Sequence, residues 1–138
     1  MVKPVVSFTD FAKLDLRVGT IEACEEVVGS EKLLKFLVNL GEPPHGLGKR
    51  TILAGVKKNF KPEELIGLQV LVLANLEPKK MMGLESQGMI LMAVERQFKI
   101  QSSKLKVDRG TGNLETKPEE KITLLVPQDQ VPEGTGVE

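Results

Sequence analysis

The chain has 138 residues, 41% of them hydrophobic, with 19 basic and 19 acidic side chains in balance, which suits one globular domain with a real core. No apolar run approaches the roughly 20 residues that span a bilayer, so a membrane partner is not expected, and the opening Met1-Val2-Lys3-Pro4 lacks the apolar stretch of a secretion signal. The single cysteine, Cys24, makes no internal disulfide and fits a reducing compartment, which makes the cytoplasm the expected location.

In chain order, Ser7-Phe8-Thr9-Asp10 opens a short helix, with Asp10 standing where a full capping box has Glu or Gln. Phe8, Phe11 and Leu14 are expected to face the core. From Leu14 to Val28 apolar and polar residues alternate, a long first strand in which Gly19 marks a bend or bulge, as the closing of a small barrel requires. Val28–Glu31 is a turn, and Leu34, Phe36, Val38 and Leu40 alternate through a second strand. Gly41–Gly48 is a loop by its glycines and prolines. Thr51–Val56 is a third strand. Pro62–Gly67 is one helical turn, with Pro at its start, Glu63 and Glu64 in the first turn and Gly67 at its stop. Val70–Ala74 is a fourth strand, apolar enough to be buried on both faces, and Met89–Val94 a fifth. Arg96–Glu120 is polar and reads as an extended hairpin or a mobile loop. Ile122–Pro127 is a closing strand. No repeat and no second domain is visible, so residues 1–138 are expected to form a single domain with an insertion at about 96–120. The fold class is mainly all-β, a five-stranded barrel with a short N-terminal helix and another between strands three and four.

The neutral total hides an uneven distribution. The net charge is −2 over residues 1–48, +6 over 49–109 and −4 over 110–138. A basic middle attracts an anionic partner, although charge alone favours a solvated surface with unevenly placed lysines. The chain has no Trp, no Tyr and five Phe, too few platforms for binding single strands by base stacking. If it binds RNA, shape and phosphate recognition should dominate. Enzyme chemistry has little support. His45 is the only histidine, so a histidine-based site or metal cluster has no second member. Cys24 reads as a small core residue, and no glycine-rich phosphate loop precedes a helix. No catalytic residue, metal or cofactor is expected.

The segment Asn75–Ala93 is the most informative. Pro78 cannot donate within a central strand, which places Lys79 and Lys80 on a loop. Gly83 and Gly88 bracket Leu84-Glu85-Ser86-Gln87 and permit close backbone approach or positive φ. As isolated chemistry this is equally a phosphate-contacting surface and a surface turn with solubilising lysines.

The order Asn75-Leu76-Glu77-Pro78-Lys79-Lys80, then Gly83, Ser86, Gly88-Met89, Leu91 and Ala93, resembles the tRNA-binding domain found at the end of many methionyl-tRNA synthetases. The same domain occurs as a free-standing structure-specific tRNA-binding protein and in endothelial-monocyte-activating-polypeptide-like proteins. Further matches are Asp10-Phe11-x-Lys13-x-Asp15-Leu16-Arg17-Val18-Gly19, Gly29–Lys35, Ile52-x-Ala54-Gly55-Val56, Phe60–Gly67, Val126-Pro127 and Val131–Gly134. The resemblance covers about residues 7–95 and 122–138. It implies an OB-fold homodimer, joined through elements near both chain ends, that binds tRNA by shape without catalysis, alone or as a trans-acting accessory of an aminoacyl-tRNA synthetase. By the same likeness, Lys32, Lys35, Arg50, Lys57, Lys79 and Lys80 neutralise phosphates, Asn75 and Ser86 hydrogen-bond RNA, and Met89 gives an apolar contact. For Arg17 an ion pair with Asp15 or Glu22 on the barrel surface is at least as well founded as an RNA contact. The chain departs from the family at Pro43–Lys49 and at Arg96–Glu120, where Lys99, Lys104, Lys106 and Arg109 make the first half basic. The alternative function is that of the secretion-related branch of the same fold, a chaperone-like binder of polypeptides.

Overall fold

The alternating segments fold into antiparallel strands. The computed structural model describes residues 2–97 and 119–138. Its elements are α1 (Phe8–Ala12), β1 (Leu16–Glu26), β2 (Leu34–Asn39), β3 (Lys49–Ala54), α2 (Pro62–Leu65), β4 (Gln69–Leu73), β5 (Lys79–Met81), β6 (Leu84–Ser86), β7 (Met89–Ile90), β8 (Met92–Gln97) and β9 (Glu119–Leu124). The main sheet has the order β3-β2-β1-β4-β7. β1 is long enough to pair twice, its first half with β4 (Leu16 opposite Leu73) and its second half with β2 (Glu26 opposite Leu34).

Ile21, Leu34, Phe36, Val38, Leu40, Ile52, Val70 and Val72 are fully buried inside this sheet. Leu65 on α2 is buried with them, and the following Gly67 and Leu68 bond the backbone of Ile21. The seam between β3 and the β6–β7 segment is closed by two side chains and one backbone bond. Leu53 N donates to Ser86 Oγ at 2.9 Å, Thr51 N donates to Gln87 Oε1 at 3.0 Å, and Gln87 N donates to Thr51 O at 2.8 Å. The result is a nearly closed five-stranded barrel of OB type, as the sequence pattern and the resemblance implied. The C-terminal tail runs beside β1, with Val18 N bonded to Thr135 O and Gly134 N to Val18 O.

Four sequence expectations change. The irregularity in β1 falls between Ile21 and Ala23 rather than at Gly19. Gly19 makes room instead, since a Cβ there would lie 2.5 Å from Val38 Cγ1 and 2.7 Å from Leu40 Cδ2. Helix α1 forms where expected, capped by Ser7 Oγ accepting from Asp10 N at 3.1 Å. Its apolar residues do not reach the core: Phe8 is 79% exposed, Leu14 46% and Phe11 37%. The barrel is filled without them, and the two phenyl rings contact each other instead. β4 buries Val70 and Val72 fully but leaves Leu71 and Leu73, which alternate onto its other face, half-buried.

The expected fifth strand breaks at Leu91. β7 pairs with β4, whereas β8 pairs with β9. The chain accordingly divides into two compact units, Met1–Leu91 with Leu124–Glu138, and Met92–Thr123. Within the second unit Arg96 Nε bonds Glu120 Oε2 at 3.0 Å. Lys99, Lys104, Lys106 and Arg109 lie outside the described residues.

Candidate nucleic-acid interface

Lys79 and Lys80 lie on a hairpin strand rather than on the loop the sequence suggested. β5 pairs with β6, Lys79 opposite Ser86 and Met81 opposite Leu84. The connection is the two-residue turn Met82-Gly83, with φ of +53° and +79°. Positive φ at both positions matches the right-handed twist of the flanking strands and is the favoured way to close so tight a hairpin. Both lysines are exposed and make no ion pair among the described residues.

The base of this hairpin is tied to the barrel. Ser86 is 3% exposed; its hydroxyl accepts from Leu53 N and donates to Gly88 O at 3.2 Å. Arg50, on β3, donates from Nη1 to Ala74 O at 2.6 Å. Asn75 clamps the connection between α1 and β1, accepting from Asp15 N at 2.8 Å and donating to Lys13 O at 2.7 Å. In this structure the polar groups of Ser86 and Asn75 are committed to the chain itself. Gln87, which the sequence reading left out, helps hold the same seam. Its role depends on Thr51 across the barrel, and no local signal announces that.

The hairpin tip reaches the β1–β2 turn. A groove of about 300 Å³ is lined by Glu25, Glu26, Val27, Val28, Lys35, Met82 and Leu84. Lys35 therefore shares one groove with the hairpin tip. Met82, 55% exposed, was also missed, although Met82-Gly83 between two short strands is its sequence signal. Lys32 is exposed on the turn and makes no ion pair among the described residues. Lys57 bonds Ser30 O at 3.1 Å and lies 3.5 Å from Glu26, and Lys35 lies 3.1 Å from Glu25. Met89, on β7, is 47% exposed. Arg17 makes the Asp15 pair at 2.8 Å and donates to His45 O at 2.8 Å.

Lys49 and then Asn39, both hydrogen-bonded to Glu22, hold that carboxyl below its usual range, and Glu22 in turn raises the Lys49 ammonium. Burial pushes the Cys24 thiol up to about 11, with Glu25 and Glu63 adding to the effect. A thiol in that state is neutral and a poor nucleophile at physiological pH. Among the described residues no three His, Cys, Asp or Glu side chains gather to hold a metal ion. No helix among them is long and apolar enough to cross a membrane.

The family described as "Putative tRNA binding domain" matches residues 16–135, nearly the whole chain. The chain belongs to this tRNA-binding domain family. Methionine–tRNA ligases of Methanothrix thermoacetophila and Porphyromonas gingivalis are 54% and 51% identical over 91 and 88 residues, 66% and 64% of this chain. The matched stretch is only 13% and 12% of those ligases, so this chain spans about an eighth of their length. Among solved structures, a methionyl-tRNA synthetase-related protein from Pyrococcus horikoshii superposes with a TM-score of 0.73 at 27% identity, covering 99% of this chain and 100% of that one. The chaperone CsaA of Bacillus anthracis superposes with a TM-score of 0.70 at 26% identity, covering 98% and 100%. In this tRNA-binding domain, Arg50, Asn75 and Ser86 bond the chain's own backbone, Lys35 and Lys57 are ion-paired, and Lys32, Lys79, Lys80 and Met89 are exposed.

Proposed function

We propose that this domain binds folded tRNA by its shape and phosphate backbone, without catalysing a reaction, as a cytoplasmic homodimer that acts alone or as an accessory of an aminoacyl-tRNA synthetase. The family match over residues 16–135 carries the reading. It is supported by two exposed lysines that make no ion pair among the described residues, on a hairpin tied to the barrel at its base. Lys32, Lys79 and Lys80 contact phosphates directly. Lys35 and Lys57 stay in their ion pairs with Glu25 and Glu26, Met89 gives an apolar contact, and Arg50, Asn75 and Ser86 position the surface. The scarcity of aromatic residues favours phosphate-led recognition over base stacking. The exposed Phe8, Phe11 and Leu14 favour a second copy of the chain as the cover for α1.

The test is binding of unfractionated folded tRNA, heat-unfolded tRNA and a single-stranded RNA of equal length over a salt series. The domain prefers folded tRNA, with steep salt dependence. The double variant Lys79→Glu, Lys80→Glu abolishes binding while keeping its fold, and wild-type binding by that variant overturns the assignment of the hairpin. A second reading, capture of unfolded polypeptides, is favoured by the superposition on the chaperone CsaA. Capture of an unfolded protein with indifference to tRNA reverses the order of the two.

A further inference from the structure

Three carboxylates of β1 each hold a lysine from elsewhere in the chain. Glu22 meets Lys49 at 2.9 Å, Glu25 meets Lys35 at 3.1 Å and Glu26 meets Lys57 at 3.5 Å. Lys32, Lys79 and Lys80 have no such partner among the described residues. The surface therefore carries two classes of lysine, restrained and projecting. Of these, the restrained Lys35 lines the groove between the β1–β2 turn and the hairpin tip, beside Glu25, Glu26, Met82 and Leu84, whereas Lys32, Lys79 and Lys80 lie outside its lining. Glu26 and Lys57 also line the neighbouring depression beside Ser30 and Glu31.

Exposed pairs of this kind contribute little to stability, so the fold does not depend on them. Their consequence is electrostatic. A phosphate that enters the groove to reach Lys35, or the neighbouring depression to reach Lys57, comes against a carboxylate already there. A flexible single strand can sink into the groove and meets that repulsion. A rigid folded RNA rests on the projecting lysines of the turn and hairpin without entering.

We propose that Glu25 and Glu26 are specificity-determining residues, which withhold Lys35 and Lys57 from flexible polyanions and leave productive contact to rigid folded RNA bridging Lys32, Lys79 and Lys80. The inference rests on the tRNA-binding reading above. Its test is the isosteric double variant Glu25→Gln, Glu26→Gln, compared with wild type for binding of folded tRNA and of an oligouridylate of equal length over a salt series. Two lysines released to a single strand steepen the log–log salt slope by about 1.4, at roughly 0.7 per phosphate contact, and raise oligouridylate affinity about tenfold at low salt. Affinity for folded tRNA rises by less than about threefold, because few new contacts form with RNA that stays outside the groove. Adding Lys35→Ala and Lys57→Ala to the variant removes the gain. An equal gain for both ligands, no gain for either, or a gain that survives the lysine substitutions overturns the inference while leaving the tRNA reading in place. A wild-type domain that does not prefer folded tRNA overturns both.

Discussion

Replacing Ser86 with alanine separates a hydroxyl that closes the barrel from one that touches RNA. The Ser86 hydroxyl accepts from Leu53 N at 2.9 Å and donates to Gly88 O at 3.2 Å, in a position only 3% exposed. Alanine keeps the backbone and removes both bonds. The Leu53 amide, on a residue 5% exposed, is then orphaned inside the seam, at about 1–3 kcal/mol for a buried donor. The Gly88 carbonyl loses one partner and adds less. A total near 2 kcal/mol is a large part of the roughly 5–15 kcal/mol that holds a domain folded. With a urea m-value of about 1–3 kcal/mol per M, the unfolding midpoint falls by about 1 M with unchanged slope. Urea unfolding followed by circular dichroism, with tRNA affinity measured in the absence of urea, reads both effects. The variant is less stable and binds tRNA as wild type does. Unchanged stability with weakened binding refutes the reasoning and places the hydroxyl on the RNA.

Two further predictions concern α1 and Cys24. Phe8→Ser combined with Phe11→Ser converts a dimer to a monomer in sedimentation velocity, and a wild-type chain that is monomeric at high concentration removes the basis for this. The Cys24 thiol has an ordinary pKa of 9.0 and about 11 when folded, so between those values the folded chain holds a proton that the unfolded chain has lost. Stability relative to Cys24→Ala is therefore full below pH 9.0, falls as pH rises towards about 11, and levels off above it. A relative stability that does not vary with pH, or a thiol that reacts in the native state at its unfolded rate, contradicts this.

The order of strands was legible because the apolar period of two in Leu34–Leu40 and in Leu14–Ala23 persists over several residues. The Ser7 cap was legible because it acts within three residues of itself. What escaped depends on distant partners. Gly19 reads locally as a bend, yet its reason lies in Val38 and Leu40 on the next strand. Ser86 reads as a free hydroxyl, yet its acceptor role is fixed by Leu53. Phe8, Phe11 and Leu14 have the spacing of a core face, and sequence alone does not say whether this chain or another covers it. Pro78 argues for a loop at Lys79 and Lys80, and a three-residue strand is too short to show a period that would counter it. The break at Leu91 was hidden by the unbroken apolar run from Met89 to Val94.

The side-chain seam has a consequence for which residues of the hairpin can change. The groups that anchor the β5–β6 hairpin, Ser86 and Gln87, lie at its base, while Lys79, Lys80 and Met82 lie on the opposite strand and tip. What secures the hairpin is thus chemically separate from what it displays. Substitutions at Lys79 or Lys80 therefore alter what the hairpin presents without breaking the bonds that hold it to the barrel.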